Sequence, residues 1–296
     1  CRPAAAVCTG ANGGIGAMDN KILIPLDGTE QASEIIRYAQ SITPRAETEI
    51  SLLHVLPQAG AENSAAAHID EIMAALTTAG WTVSSDLRMG DPVEEIVKFA
   101  LLMPALLLLM STHGRSGLEK IRQGSVTEQV LQHSPCPVFI LHSTRAEPAD
   151  EREDHLFRRI LVPLDGTDVS ASILSCVERF AKSHDSEVIL FHDEMDSDNP
   201  DEERAAVKLA LQEHSVRLAN AGLKVSLDMS TYRRPIREIL SRIDEMKIDL
   251  VSMASHGESG VRRALDQSVT AEVIRHASCP LLVWSAEHQF PPLSGD

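Results

Sequence analysis

KILIPLDGT at residues 21–29 returns as RILVPLDGT at residues 159–167, with seven of nine positions identical. Three further stretches recur in the same order. STHG at 111–114 returns as ASHG at 254–257, GSVTEQV at 124–130 as QSVTAEV at 267–273, and SPCPVFIL at 134–141 as ASCPLLVW at 277–284. The first pair is offset by 138 residues and the other three by 143, so about five residues are inserted between them. Four landmarks in one order at nearly constant spacing identify an internal repeat, and a repeat sets the organisation of the chain.

Working outward from the first copy, Lys21–Leu26 has the β-branched and Leu-rich character of a strand. It leads through Asp-Gly-Thr into a helix-patterned segment, Glu30–Thr43. Glu49–Val55 reads as a strand, Glu62–Ala79 as a helix closed by Gly80, and Trp81–Arg88 as a strand. A helix begins at Pro92, a residue favoured in the first helical turn. Ala105–Met110 is an apolar run of strand length, Ser125–His133 is helical and Pro137–His142 is a last strand. The second copy repeats the pattern at Arg159–Leu164, Val169–Ser183, Glu187–His192, Asp201–Ala221, Lys224–Met229, Pro235–Met246, Asp249–Ala254, Val269–His276 and Pro280–Ser285. Strands alternating with helices imply parallel pairing and a sheet covered on both faces. The fold class is therefore α/β, with two tandem doubly wound parallel-sheet domains of Rossmann-like layout. The expected domains are residues 18–145 and 158–288, joined by a polar linker at 146–157. Residues 1–17 are expected to be a disordered extension and 289–296 a tail.

Composition narrows the function. The 296 residues carry a net charge of −16, divided as −7 in residues 1–150 and −9 in residues 151–296. Such a surface repels nucleic acid and anionic membrane, both of which need a cationic footprint. The longest apolar stretch, Phe99 to Met110, contains Pro104 and is too short to span a bilayer. Five cysteines without close spacing argue against a disulfide framework or a zinc site and fit a reduced, cytoplasmic setting. The acidic run Asp193–Glu203 is expected to be a solvated loop, because Pro200 and a missing Gly break calcium-loop spacing.

In an open α/β sheet, ligands bind beyond the carboxyl ends of the strands. Asp27 and Asp165 follow the first strand of each half, and the His-Gly loops follow the fourth. Ser111, Thr112, His113 and Gly114, running to Gly124 and Ser125 at a helix start, can present several N–H groups to an anion. Glycines at 114 and 124 allow close approach to a phosphate, and the Ser125 hydroxyl adds a donor. Each residue also has a plainer role. Asp27 and Asp165 suit bracing of the strand-to-helix turn, His113 and His256 suit turn stabilisation, and Cys136 and Cys279 suit burial as small apolar groups.

The stretch STHGRSGLEKIRQGSVTEQVLQHSPCPVFIL, residues 111–141, together with ILIPLDGT and LLHVL at 52–56, resembles the universal stress protein family. Its nucleotide-binding branch has Gly, two residues, Gly, nine residues, then Gly and Ser or Thr. Here Gly114, nine residues, Gly124 and Ser125 match, while Ser111 stands at the first glycine. The resemblance implies an adenine nucleotide alpha hydrolase-like fold that takes ATP, with Mg²⁺ as its companion ion. It implies that Asp27 and Val55 line the nucleoside end with Pro25 and Met110 nearby, and that Gly114, Gly124, Ser125 and Val126 surround the phosphates. In the second half Asp165, Gly257 and Ser268 remain, but Ala254 and Gln267 replace glycines, Asp193 replaces Val55 and Arg233 replaces Gly90. Arg233 and Arg234 can supply compensating charge there.

In the family the last strand pairs with its counterpart in a dimer. Val138–His142 and Leu281–Ser285 are accordingly expected to pair within this chain as an internal pseudo-dimer, which protects two apolar edges; a homodimer can follow. The function expected is a stress-response module that binds an adenine nucleotide mainly in the first half. The alternatives are a nucleotide-free scaffold and, last, a slow ATPase or phosphotransferase. Enzymatic turnover ranks last because the sequence has no Walker-type lysine loop and no Ser-Gly-Gly-x-Asp-Ser loop.

Overall fold

The computed structural model describes residues 20–26, 38–39, 41–42, 48–56, 62–103, 107–112, 126–142, 157–194, 200–255 and 269–285. The first half contains β1 (Asn20–Leu26), β2 (Thr48–Leu56), α1 (Glu62–Thr78), β3 (Thr82–Met89), α2 (Pro92–Leu102), β4 (Leu107–Thr112), α3 (Val126–His133) and β5 (Val138–His142). The second contains β6 (Arg159–Pro163), α4 (Asp168–Ala171), α5 (Leu174–His184), β7 (Glu187–Asp193) and α6 (Pro200–Asn220). It continues through β8 (Lys224–Ser230), α7 (Pro235–Glu245), β9 (Leu250–Ser255), α8 (Val269–His276) and β10 (Leu281–Ser285). The expected extension, most of the expected linker and the tail lie outside the described residues.

Among the described residues, ten strands form one sheet in the order β3-β2-β1-β4-β5-β10-β9-β6-β7-β8. Pairing is parallel within each half and antiparallel only between β5 and β10. The chain order within a half reverses between β1 and β4, and again between β6 and β9. Such a reversal leaves a crevice beyond the carboxyl ends of the two strands. Helices cover both faces and divide the core into two layers. Ile22, Ile24, Leu52, Leu109 and Leu190 belong to one; Leu23, Leu53, Met110, Val251 and Val283 belong to the other. Nearly all of these side chains are fully buried, which suits strands that read as continuous apolar runs.

The expected pairing of the two last strands is present. Leu281 faces Ile140, Leu282 faces Phe139 and Val283 faces Val138, and all six are fully buried. Phe139 and Leu282 are repeat equivalents at the 143-residue offset, so a local twofold axis passes between them. Around this axis Phe139 meets Phe157 edge-on at 5.7 Å, and Phe180 of α5 lies 5.1 Å from Phe157. His184 stacks on Phe180 at 4.4 Å and places Nε2 3.0 Å from the Ser41 carbonyl of the first half. On the other face, Arg275 of α8 approaches Glu128 of α3 at 3.7 Å.

Phe157 stands at the end of the expected linker, yet it is 1% exposed and holds a left-handed φ of 67°. Its carbonyl accepts the buried Ser186 hydroxyl at 2.5 Å. Aromatic packing holds a backbone conformation that a non-glycine residue resists.

The single helix expected at Val169–Ser183 is divided. Thr167 caps α4 by accepting the Ser170 N–H at 3.2 Å, and the Ser172 hydroxyl turns back to the Val169 carbonyl at 2.7 Å. Side-chain bonds of this kind compete with helix continuation. Elsewhere Asp91 caps α2 through the Glu94 N–H at 3.0 Å, with Pro92 in the first turn as expected.

Candidate functional site

Parallel register decides which side chains share a face. Pro25 lies beside Leu53, two residues before Val55, and Leu23 lies beside Leu108, two residues before Met110. Because side chains alternate along a strand, Pro25, Val55 and Met110 project from one face at the carboxyl ends of β1, β2 and β4. Met110 is buried, whereas Pro25 and Val55 are half-buried. Pro25 and Met110 flank the order reversal. The structure thus brings together three of the sequence-derived residues as an apolar wall at the crevice. Ser111 follows Met110 on the opposite face and is half-buried; Val126 opens α3 and is 40% exposed. Asp27, His113, Gly114, Gly124, Ser125, Gly257 and Ser268 lie outside the described residues.

Thr127 supplies a contact that the motif comparison overlooked. Its hydroxyl reaches the Ser111 carbonyl at 3.4 Å, tying the first turn of α3 to the end of β4. Thr270 does the same to the Ala254 carbonyl at 3.5 Å. The repeated Ser-Val-Thr was the available signal. Just after β3, Gly90 holds φ +146° and donates its N–H to the Leu56 carbonyl at 3.0 Å. A Cβ at Gly90 would stand 3.2 Å from Glu95 Cγ, and the backbone angle itself favours glycine.

The second half places Pro163, Asp193 and Met253 on the corresponding face, since Pro163 lies beside Phe191 and Leu161 beside Val251. Here a carboxylate replaces the valine. Asp193 is 5% exposed, and its two oxygens accept the backbone N–H groups of Arg233, at 3.2 Å, and Arg234. Arg233 adopts φ +55° at the position of Gly90. The left-handed conformation costs a non-glycine residue about 1–2 kcal/mol, and hydrogen bonds to a charged acceptor contribute roughly 1.5–3 kcal/mol each. The carboxylate therefore stabilises a turn that the sequence alone made unfavourable. The backbone of the two arginines closes a turn, a role distinct from the compensating charge expected of their side chains.

Glu194 is also buried. It forms a bidentate ion pair with Arg204 of α6, one arm of it Nη2 to Oε2 at 2.9 Å. This pairing holds the Glu194 carboxyl below the usual carboxylate range, against the opposing effect of burial. The expectation of a solvated loop is corrected at both residues: Asp193 ends β7, and Glu194 is anchored between β7 and α6. Beside them His192 is buried with Nδ1 2.8 Å from the Leu164 carbonyl. Asp165 is exposed and accepts the N–H and hydroxyl of Thr167 at 2.9 and 2.6 Å. It braces its turn, the plainer of the two roles anticipated.

Cys136 and Cys279 are free and buried at the entries to β5 and β10. Burial pushes their thiols up to about 11 and about 12 respectively, so they are poor nucleophiles. Among the described residues, there is no group of three or more His, Cys, Asp and Glu that could hold a metal ion. Among them, too, no helix is long and apolar enough to cross a membrane.

The profile described as the universal stress protein family matches residues 18–142 and 156–284. Universal stress protein MJ0531 of Methanocaldococcus jannaschii is 28% identical over 143 residues, covering 43% of this chain and 84% of its own length. Universal stress protein Rv2005c of Mycobacterium tuberculosis is 26% identical over 210 residues, covering 68% of each chain. In three dimensions, the crystal structure of a universal stress protein from Archaeoglobus fulgidus superposes with a TM-score of 0.73 at 23% identity. It covers 91% of this chain and 99% of that one.

Proposed function

The chain belongs to the universal stress protein family, and on that premise we propose that its first half binds an adenine nucleotide as part of a cytoplasmic stress response. ATP, carrying Mg²⁺ on its phosphates, is the ligand this reading favours. The observation that carries it is the unequal fate of the two carboxyl edges. The first keeps an apolar wall of Pro25, Val55 and Met110, together with the sequence spacing Gly114, nine residues, Gly124 and Ser125. The second replaces Val55 by a hydrogen-bonded carboxylate and Gly124 by Gln267.

These donors suit the ligand. An apolar wall at the order reversal suits a base and ribose, and a glycine-rich segment leading into α3 suits phosphate oxygens. The Thr127 bond fixes the start of α3 against β4, so the helix and strand ends keep their spacing. A bound nucleotide supplies charge and shape to be sensed; the chain supplies orientation and exclusion of water at the apolar wall. Among the described residues there is no metal-ligating carboxylate cluster, so Mg²⁺ would arrive on the phosphates. Free, non-nucleophilic thiols suit a reducing compartment.

Calorimetry of the purified chain with ATP and Mg²⁺, alongside Gly124→Gln, tests this. Binding with a stoichiometry of one, lost in the variant, supports it. Absence of binding by the wild type would favour a nucleotide-free scaffold, a reading that the buried β5–β10 pairing supports independently. Steady ADP release, lost on substitution of Asp27 or His113, would instead establish an enzyme.

A further inference from the structure

Helix α6 carries two apolar faces. Val207, Leu211 and Leu218 are buried against the sheet. On the other side Ala205, Leu209, Gln212, Val216 and Ala219 are all exposed, Leu209 at 58% and Val216 at 59%. Their spacing alternates four and three residues, which is the a/d seam along which one helix packs against another. At 3.6 residues per turn this seam points about 140° away from the buried stripe. A second helix can therefore lie along it without meeting the body of the domain.

The stripe belongs to one half only. Gly80 and Gly222 end α1 and α6 alike, donating to the Thr77 and Ala219 carbonyls at 2.9 Å. That alignment sets Ala67, Asp70, Ala74 and Thr77 of α1 against Leu209, Gln212, Val216 and Ala219 of α6. Polar and small residues in the first half thus become two large apolar ones in the second.

Charge indicates what covers the stripe. Lys208 and Glu213 flank the seam at its g and e positions, and both are exposed. Among the described residues neither forms an ion pair, whereas Arg204 and Arg217 of the same helix are held by Glu194 and Glu178. In a parallel two-stranded seam, a g residue faces the e residue five places on in the other helix. Lys208 then faces Glu213 of a second copy, and Glu213 faces its Lys208. Antiparallel packing about Gln212 would set Glu213 against itself. Gln212 meets its own copy at a d position, where two amides can exchange hydrogen bonds. Glu202 stands at the next a position and ends the seam at Ala205.

We propose that α6 pairs in parallel with α6 of a second copy of this chain, forming a weak, reversible homodimer. The contact is separate from the carboxyl edges and does not depend on the nucleotide reading. Sedimentation equilibrium of the full chain tests it, from about 10 µM to about 1 mM, the range where weak association is visible. The mass should rise from 32.2 kDa toward twice that value. Leu209→Glu should hold the chain at the monomer mass, and the milder Leu209→Ala should weaken association. Both sit on a solvent face, so circular dichroism should be unchanged. Lys208→Glu should weaken association about fivefold, since two charge pairs are lost, and Lys208→Glu with Glu213→Lys should restore it. Three outcomes would each overturn the proposal: a monomer at every concentration, a dimer indifferent to Leu209→Glu, or no recovery in the double reversal.

Discussion

The two carboxyl edges start from one plan and end in different chemistry. At β2 stands a half-buried, apolar Val55; at β7 a buried Asp193 clasps the backbone of Arg233 and Arg234. The scaffold around each is nearly unchanged, down to the threonines that tie α3 and α8 to their strands. An apolar carboxyl edge can thus be converted into an internal polar clasp by a few substitutions, without disturbing the strand order that made it.

The largest expected effect strikes what lies between the halves. Phe157→Ala should cost about 3–5 kcal/mol in urea unfolding. A loss below about 1 kcal/mol would mean that the aromatic cluster does not bind the halves. Next, Gly124→Gln should weaken ATP binding about 100-fold, or roughly 2.7 kcal/mol, whereas Gln267→Gly alone should create no second site while the Asp193 clasp remains. A second binding event in calorimetry of Gln267→Gly would break the proposed asymmetry.

Asp193→Val should destabilise the chain by about 1–3 kcal/mol, because two backbone donors lose their acceptor. Thermal unfolding of the variant checks this. A smaller effect concerns acid. The Glu194 carboxyl is held low by Arg204, so its stabilisation is present above the usual carboxylate range and is lost as pH falls through the lowered value. Arg204→Met should remove that part of the acid dependence, and equal acid slopes for the two proteins would count against it. Smallest of all, Cys136 and Cys279 should resist alkylation at pH 8 in the native state and react on unfolding, as mass spectrometry can show.

Much of the architecture could be read in advance because repetition and alternation are local signals. KILIPLDGT and RILVPLDGT located β1 and β6, and the apolar character of SPCPVFIL and ASCPLLVW placed the two strands that pair. What escaped depended on contacts distant in sequence. The break between α4 and α5 arises from Ser172 bonding back to Val169, which a helical pattern does not reveal. Asp193 and Glu194 looked like part of an acidic loop, since their partners lie at 233–234 and 204. For the same reason Phe157 read as linker: its packing partners, Phe139 and Phe180, come from opposite halves. At the candidate site, strand register sets Pro25, Val55 and Met110 on one face, while Thr127 was overlooked inside the repeated Ser-Val-Thr.

Phe139 opposite Leu282 carries a further consequence. In a dimer of identical chains, a residue on the twofold axis meets its own copy, so every substitution there is made twice and must fit itself. Fusion into one chain removes that constraint. A large ring can settle against a smaller side chain, and the surrounding aromatic groups can be recruited from one side alone. The covalent link also makes the pairing independent of protein concentration. Each half is thereby free to drift from the other, and the divergence of the two carboxyl edges is what that freedom permits.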